Sequence, residues 1–270
     1  MIDTHCHIDE AAFDADREEV IARQREAEVE AMIVPGVNVH SIDTVMDVCK
    51  THPGYCFPAL GLHPEDVKDD WKEQLAIIEQ AIRAHRNELV AIGEIGLDYY
   101  WDKTYKEQQQ EVFRHQLLLA RELNLPVILH NREATEDIIC IVKEVSRNPS
   151  PVTCNPLHGV FHCFNGSKEV AQQILDMGFY LGIGGVLTFK NCKLADTLAD
   201  LHSFIPSLLH SLVLETDAPY MAPVPHRGER NESRFMLHVA ERLAQVFDTT
   251  PEQIIAQTSV TARQLFRLSY

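Results

Sequence analysis

The first seven residues contain half of a possible metal site. The chain begins MIDTHCH, an apolar start followed at once by His5 and His7. Alternate side chains of an extended strand point to the same face, so these two imidazoles would lie side by side while Cys6 points away. Two neutral imidazoles on one face are half of a four-ligand site. An isolated pair could equally be one solvated histidine and one bound to a backbone carbonyl, so the rest of the chain decides.

Further residues that bind metals lie at or near the ends of later apolar runs. Glu94 ends the run Leu89–Glu94, and Asp217 ends Leu212–Asp217. If these runs are parallel strands of one barrel, their carboxyl ends meet on a single face, where barrel enzymes carry their catalytic residues. Four imidazoles and two carboxylates then form one cluster, made of His5, His7, Glu94, His130, His162 and Asp217.

Eight short apolar runs alternate with helical segments along the chain. Strands that alternate with helices favour a parallel sheet with right-handed crossovers, and eight such units favour a closed barrel. No GxGxxG follows the first strand, which disfavours a dinucleotide-binding sheet. We therefore predict an α/β protein with a single (β/α)₈ TIM barrel domain over 1–270. The predicted strands are Met1–His7, Ala31–Gly36, Cys56–Gly61, Leu89–Glu94, Pro126–His130, Gly159–Phe164, Phe179–Gly185 and Leu212–Asp217.

The cluster is large enough for two divalent ions with positions left open for water, whereas one structural zinc needs only four ligands. We expect His5, His7 and Asp217 to bind one ion, His130 and His162 to bind the other, and Glu94 to bridge them. Such ligands suit zinc or manganese, and magnesium, which is common in nucleases, stays open as well. The sequence therefore predicts two divalent metal ions of undetermined identity.

Composition restricts partners and location. The net charge of −16 disfavours non-specific binding of nucleic acid over the whole surface, so attraction to a phosphodiester must be local. Seven scattered cysteines without a CxxC pair fit a reducing compartment. The start of the chain lacks the pattern of a secretory signal, and no apolar run is long enough for a membrane span. These features predict a cytoplasmic protein without membrane association, and a monomer is the default expectation.

The sequence resembles the TatD family of metal-dependent deoxyribonucleases in motifs that follow one another over nearly the whole chain. The resemblance implies an amidohydrolase-type barrel, metal-assisted phosphodiester hydrolysis, 3′–5′ exonuclease and DNA repair activities, and metal ligands at the same six positions. Two departures, Thr261 in place of an expected Asn and the long insertion Arg147–Leu157, bear on substrate choice. The motifs are DTHCH (3–7), GLHP (61–64), GEIGLDYY (93–100), ELNLPVILHNR (122–132), HCFNGS (162–167), LGIGGVLTFKN (181–191) and ETDAPYMAPVPHRGERNE (215–232).

The expected reaction is hydrolysis of DNA by a metal-activated water. Asp217 is the candidate general base as well as a ligand. Glu94 stands where some related barrels have a bridging carboxylated lysine. His63, Arg132 and Arg227 follow strand ends and can place donors on phosphate oxygens. The two arginines could instead pair with carboxylates near Glu94 or Glu215.

Two neighbouring features also have two interpretations. The segment Asp98–Trp101 could stack on a splayed base or pack as an aromatic lid. Glu215 shares a face with Asp217 deeper in the barrel, and we expect it to pair with a buried arginine or with the backbone.

Two other functions remain open at this point. The same water could hydrolyse an ester or amide, for example the ester of a mischarged transfer RNA, as in D-aminoacyl-tRNA deacylases, because a fold and a metal site do not fix the scissile bond. The arginines would then matter little. A non-catalytic, metal-stabilised scaffold is the least favoured alternative, because it would need fully coordinated metal.

Overall fold

Eight parallel strands pair in sequence order in the computed structural model, which describes residues 1–147 and 155–268. The seam between the first and last strands is closed by backbone hydrogen bonds, from Thr4 to the Leu214 carbonyl at 3.0 Å and from Asp217 to the His5 carbonyl at 2.9 Å. The predicted barrel is therefore confirmed. Its strands are β1 (Ile2–Asp3), β2 (Ala31–Pro35), β3 (Cys56–Leu60), β4 (Ala91–Asp98), β5 (Val127–Arg132), β6 (Gly159–Phe161), β7 (Tyr180–Ile183) and β8 (Leu212–Leu214).

Most of the helices cover the outside of the barrel, each with one apolar stripe facing the strands. In Trp71–Ala84, for example, the buried residues Leu75, Ile78 and Ile82 recur at three- and four-residue spacing and lie on one face. The α-helices of the described residues are α1 (Arg17–Glu26), α2 (Ser41–Thr51), α3 (Trp71–Ala84), α4 (Lys106–Leu123), α5 (Thr135–Arg147), α6 (Lys168–Asp176), α7 (Leu194–Phe204), α8 (Met236–Phe247) and α9 (Pro251–Phe266).

The last helix, α9, closes the amino-terminal end of the barrel. Its residues Leu265 and Phe266 join an apolar cluster with Ile2 and Val213 from the first and last strands. Thr261 is buried on this helix, and its hydroxyl donates to the Gln257 carbonyl at 3.0 Å. The departure at this position therefore lies at the opposite end of the barrel from the predicted site. The other departure lies mostly outside the described residues, since 148–154 fall in their gap.

Two strand boundaries differ from the prediction in ways that matter for the site. Glu94 and His130 do not end their strands, because β4 runs on to Asp98 and β5 to Arg132. The pairing of β4 with β5 changes register between Ile92 and Ile95, and this irregularity places Glu94 in the middle of a strand. His5, His7, His162 and Asp217 follow strands that are shorter than predicted.

Candidate metal centre

His5 and His7 bring their Nε2 atoms to 3.1 Å from each other just after β1. Both rings are buried, and a parallel bridge between Cys6 and Ala218 holds this extended segment against the chain that follows β8. Oδ1 of Asp217 lies 3.8 Å from Nε2 of His5 and 3.6 Å from Nε2 of His7. The seam of the barrel therefore directs two imidazoles and one carboxylate at a common point.

Glu94 divides its two carboxylate oxygens between two groups of histidines. Oε2 lies 3.1 Å from Nε2 of His5 and 3.9 Å from Nε2 of His7. Oε1 lies 2.9 Å from Nδ1 of His130 and 3.6 Å from Nε2 of His63. A buried carboxylate with one oxygen in each group can bridge two cations, which is the role expected for Glu94.

His130 lies between Glu94 and a second buried carboxylate. Its Nε2 atom is 2.9 Å from Oδ2 of Asp98, and the other oxygen of Asp98 accepts the backbone N–H of Tyr100 at 2.8 Å. The predicted fourth strand ended at Glu94, whereas β4 extends through Asp98. Asp98 faces the site through His130 and is not free to stack on a base.

His162 has a similar position on the other side of the cluster. Its Nε2 atom lies 3.6 Å from Oδ1 of Asp217, its Nδ1 atom lies 3.1 Å from Oε1 of Glu215, and its ring stacks on that of His5. The same Glu215 oxygen accepts the backbone N–H of Cys163 at 2.5 Å. Glu215 therefore contacts the backbone, as expected, and an imidazole in place of the expected arginine.

The histidines of the cluster differ in their protonation. Burial lowers the pKa of His5 to about 4, and the neighbouring His162 acts in the same direction. Burial alone would also lower the pKa of His7, but its hydrogen bond to Asp217 and the charges of Asp217, Glu94 and Asp9 together raise the pKa to about 9. Burial would raise the pKa of Glu94, yet the surrounding histidines hold it well below its usual value. Imidazolium groups thus balance the ionised carboxylates within the cluster.

The ends of the strands open into a cavity of about 880 Å³ above the cluster. Arg132 is the sole arginine or lysine among its described lining residues. A negatively charged substrate would be repelled from such a cavity unless cations neutralised part of its charge. The residues present therefore fit divalent ions. The lining carboxylates are Glu10, Glu65, Asp66, Glu94, Glu133 and Asp217.

Comparison of the sequence with known protein families also indicates a metal-dependent hydrolase. A family model described as "TatD related DNase" matches residues 2–267. The chain belongs to this family. An uncharacterized metal-dependent hydrolase, YabD of Bacillus subtilis, is 41% identical over 269 residues and all of both chains. The 3′-5′ ssDNA/RNA exonuclease TatD of Erwinia tasmaniensis is 34% identical, over 99% of this chain and all of that one.

A solved structure extends the likeness to three dimensions. The TatD homologue YjjV of Escherichia coli superposes with a TM-score of 0.88 at 31% identity, over 100% of this chain and 98% of that one. This TatD-family chain is thus a metal-dependent hydrolase of the nuclease type, which argues against the non-catalytic scaffold. Among the described residues, no helix combines the length and apolar character that crossing a bilayer requires.

In the described part of this TatD-family chain, the atoms that could bind a metal form overlapping groups. Atoms within 4.8 Å of one another include a group on His5 and a group around His63 and His130. The expected sharing of one ion by His130 and His162 is not among these groups, and it stays a prediction. The groups are His5–His7–Glu94, His5–His162–Asp217, His63–Glu65–His130 and His162–Cys163–Glu215.

The predicted substrate contacts lie at different depths. His63 is buried beside Glu94 and lines the cavity, and its Nδ1 atom accepts the backbone N–H of Glu65 at 3.2 Å, which leaves Nε2 as the nitrogen that can donate. Arg132 lines the cavity, and Arg227 stacks on Phe189, which lines it. Neither arginine makes an ion pair with a described carboxylate. The alternative in which they pair with carboxylates near Glu94 or Glu215 is therefore wrong.

Sequence reasoning missed Asp3, which holds the seam together behind the ligands. Its carboxylate accepts the backbone N–H groups of His5 at 3.1 Å and of Thr216 at 3.0 Å, together with the Thr216 hydroxyl. Burial raises the pKa of Asp3 to about 7, although its hydrogen bonds act in the opposite direction. The available signal was its position two residues before His5, on the same face of an extended segment.

Proposed function

We propose that this chain is a divalent-metal-dependent deoxyribonuclease that removes nucleotides from the 3′ end of DNA. The observation that carries the proposal is the division of the Glu94 carboxylate between His5 and His130 at the base of an open, acidic cavity. The full-length similarity to a relative named as a 3′-5′ ssDNA/RNA exonuclease supports the polarity.

The metal ligands of this proposal are the six residues of the cluster. Bound there, divalent ions would lower the pKa of water, neutralise phosphate oxygens and stabilise charge on the leaving oxygen. Zinc, manganese and magnesium are the candidates, and two ions are the proposed number. The ligands are His5, His7, Glu94, His130, His162 and Asp217.

Asp217 is the proposed general base. Burial would raise its pKa, but the contact with His7 and the charges of His162 and His5 lower it, so the carboxylate is ionised at neutral pH. Its Oδ1 atom lies within 3.8 Å of three imidazoles, and its side chain keeps 22% exposure on the cavity side. An ionised carboxylate at this position can accept a proton from an attacking water.

His63, Arg132 and Arg227 are the proposed phosphate contacts. His63 lines the cavity beside Glu94, and its Nε2 atom can donate to a non-bridging oxygen. Arg132 supplies a permanent positive charge on the cavity wall. Together with bound ions, these groups would attract phosphates to the cavity alone, in a protein whose net charge is −16.

The deciding assay uses single-stranded DNA labelled at the 3′ or the 5′ end, with metal-stripped protein resupplied separately with magnesium, manganese or zinc. We expect metal-dependent, stepwise shortening from the 3′ end, and its loss in Asp217→Asn at unchanged thermal stability. RNA of the same sequence, run in parallel, establishes the sugar preference. If no ion restores cleavage of either polymer, the nuclease proposal is wrong, and ester and amide substrates become the next candidates. Cytoplasmic location, a role in DNA repair and the monomeric state stay predictions.

A further inference from the structure

Arginines stack on aromatic rings at two places around the cavity mouth. At the carboxyl ends of β4 and β5, the guanidinium carbon of Arg132 lies 3.9 Å from the ring centre of Tyr100 and 5.1 Å from that of Trp101. After β7 and β8, the guanidinium carbon of Arg227 lies 3.7 Å from the ring centre of Phe189. Since β4 and β7 are three positions apart in an eight-stranded barrel, the two stacks lie on nearly opposite sides.

Two of these aromatic residues, Trp101 and Phe189, line the cavity that contains the candidate metal ligands. Trp101 is 64% exposed and Tyr100 is 49% exposed. Trp101 and Phe189 both line the same cavity as Glu94 and Asp217. Tyr99, by contrast, is buried, and its hydroxyl donates to Asp137 at 2.9 Å. Only the outer part of the aromatic segment after β4 is therefore available to a ligand.

We infer that Trp101 and Phe189 are two base-stacking subsites, which hold the nucleobases on either side of the scissile phosphate. This inference rests on the proposed nuclease function. An aromatic face stacks on any base, which suits an enzyme that shortens a strand without reading its sequence. Arg132 and Arg227 hold the rings in place and attract the phosphates of the same strand.

The chemistry of the two stacks favours a nucleic acid over an apolar ligand. Arg132 and Arg227 form no ion pair with a described carboxylate, so each keeps its charge available at the rim. An apolar ligand on Trp101 or Phe189 would desolvate these guanidinium groups without a compensating partner. A chain that alternates planar bases with anionic phosphates satisfies the rings and the cations together.

The kinetic test compares variants on two oligonucleotides, one intact and one lacking the bases beside the scissile bond. On intact DNA, Trp101→Ala and Phe189→Ala should each raise KM by roughly tenfold or more, and Trp101→Phe should restore most of the loss. On the abasic strand, both alanine variants should match the parent protein. Equal losses on both strands would overturn the stacking assignment.

Phe204 provides the matched control. It is 73% exposed and has Lys168 Nζ 3.8 Å from its ring centre, but it does not line the cavity. Phe204→Ala should therefore leave KM for both strands unchanged. An effect as large as that of Phe189→Ala would mean that any exposed aromatic residue contributes, and the two subsites would be rejected.

A binding test separates this inference from the nuclease proposal. The chain has two tryptophans, Trp71 and Trp101, so Trp71→Phe leaves Trp101 as the single indole fluorophore. In protein resupplied with zinc, single-stranded DNA with nuclease-resistant linkages should quench this fluorescence, and an abasic chain with the same linkages and of equal length should not. Quenching without cleavage under any metal would retain the subsite at Trp101 and reject the nuclease. Cleavage without base-dependent quenching would retain the nuclease proposal and reject the subsite at Trp101.

Discussion

Asp98 and Glu94 hold opposite nitrogens of the same imidazole. Oδ2 of Asp98 lies 2.9 Å from Nε2 of His130, and Oε1 of Glu94 lies 2.9 Å from Nδ1. Glu215 has the corresponding position on His162, whose Nδ1 atom lies 3.1 Å from Oε1 of Glu215. A carboxylate behind an imidazole ligand fixes the ring and raises its basicity, so Asp98 and Glu215 would orient His130 and His162 for metal binding.

Replacing Asp98 by asparagine should weaken metal binding while leaving the fold intact. The amide cannot balance the charge of His130, and losses of roughly 10–100-fold in metal affinity are typical when such a partner is removed. Titration of metal-stripped protein against a competing chelator measures the change. Asp137→Asn is the control, because Asp137 contacts Tyr99 and Lys106 away from the cluster. Unchanged affinity in Asp98→Asn would show that His130 needs no partner.

Gly182 is predicted to be essential for the position of Glu215. A Cβ atom at Gly182 would lie 2.1 Å from Oε2 of Glu215, so Gly182→Ala must displace that carboxylate from His162. We expect weaker metal binding and a loss of about 1–3 kcal/mol in the free energy of unfolding. The neighbouring Gly184→Ala is the control, since its Cβ would meet its nearest atom, the Glu215 carbonyl oxygen, at 3.5 Å. Chemical denaturation measures the free energy of unfolding of both variants, and chelator titration measures their metal affinity. Equal effects of Gly182→Ala and Gly184→Ala would contradict the prediction.

Removing the charge of Glu94 should reduce the number of ions bound. Glu94→Gln keeps the size of the side chain but cannot serve two cations, one with each oxygen. Metal analysis of dialysed protein should show a fall from two ions to one or none, and hydrolysis should fall by at least roughly 100-fold, more than for an outer partner. Two ions retained in Glu94→Gln would exclude the bridging role. Circular dichroism should show an intact barrel.

The barrel could be predicted because the sequence pattern that indicates each strand lies within the strand itself. Each strand is a short apolar run between helical segments, and the strand order follows the chain order. The cluster followed from the same signal, since His5, His162 and Asp217 lie at or just after strand ends even where the strand is shorter than predicted. Parallel barrel geometry then brings the ends together without knowledge of any side-chain contact.

The partners of the ligands could not be predicted, because they depend on register. Asp98 faces His130 only because β4 continues past the irregularity between Ile92 and Ile95. The residue types in this segment do not predict that change in strand register. Glu215 reaches His162 across 53 positions of sequence, and the space for it is made by Gly182 on a third strand. Such contacts join several strands and loops that are distant in sequence, so they cannot be predicted from a single sequence.

Metal binding should release protons at neutral pH. Burial would lower the pKa of His130 and His162, but the neighbouring carboxylates raise it to about 9 and about 10, respectively, and His7 is raised to about 9. These rings are protonated at pH 7 in the ion-free protein, whereas an imidazole must be neutral to bind a metal. Metal affinity should therefore rise as the pH increases from 7 towards 9. His5, with a pKa of about 4, should contribute no proton.

Calorimetric titration of metal-stripped protein at pH 7 in two buffers of different ionisation enthalpy counts the protons released. The count should fall in His130→Ala, because that variant removes one of the protonated rings. It should not fall in a variant of an exposed histidine far from the cavity, such as His210→Ala. A proton count that is zero for the parent protein would mean that the rings are already neutral, and the charge balance inferred for the ion-free cluster would be wrong.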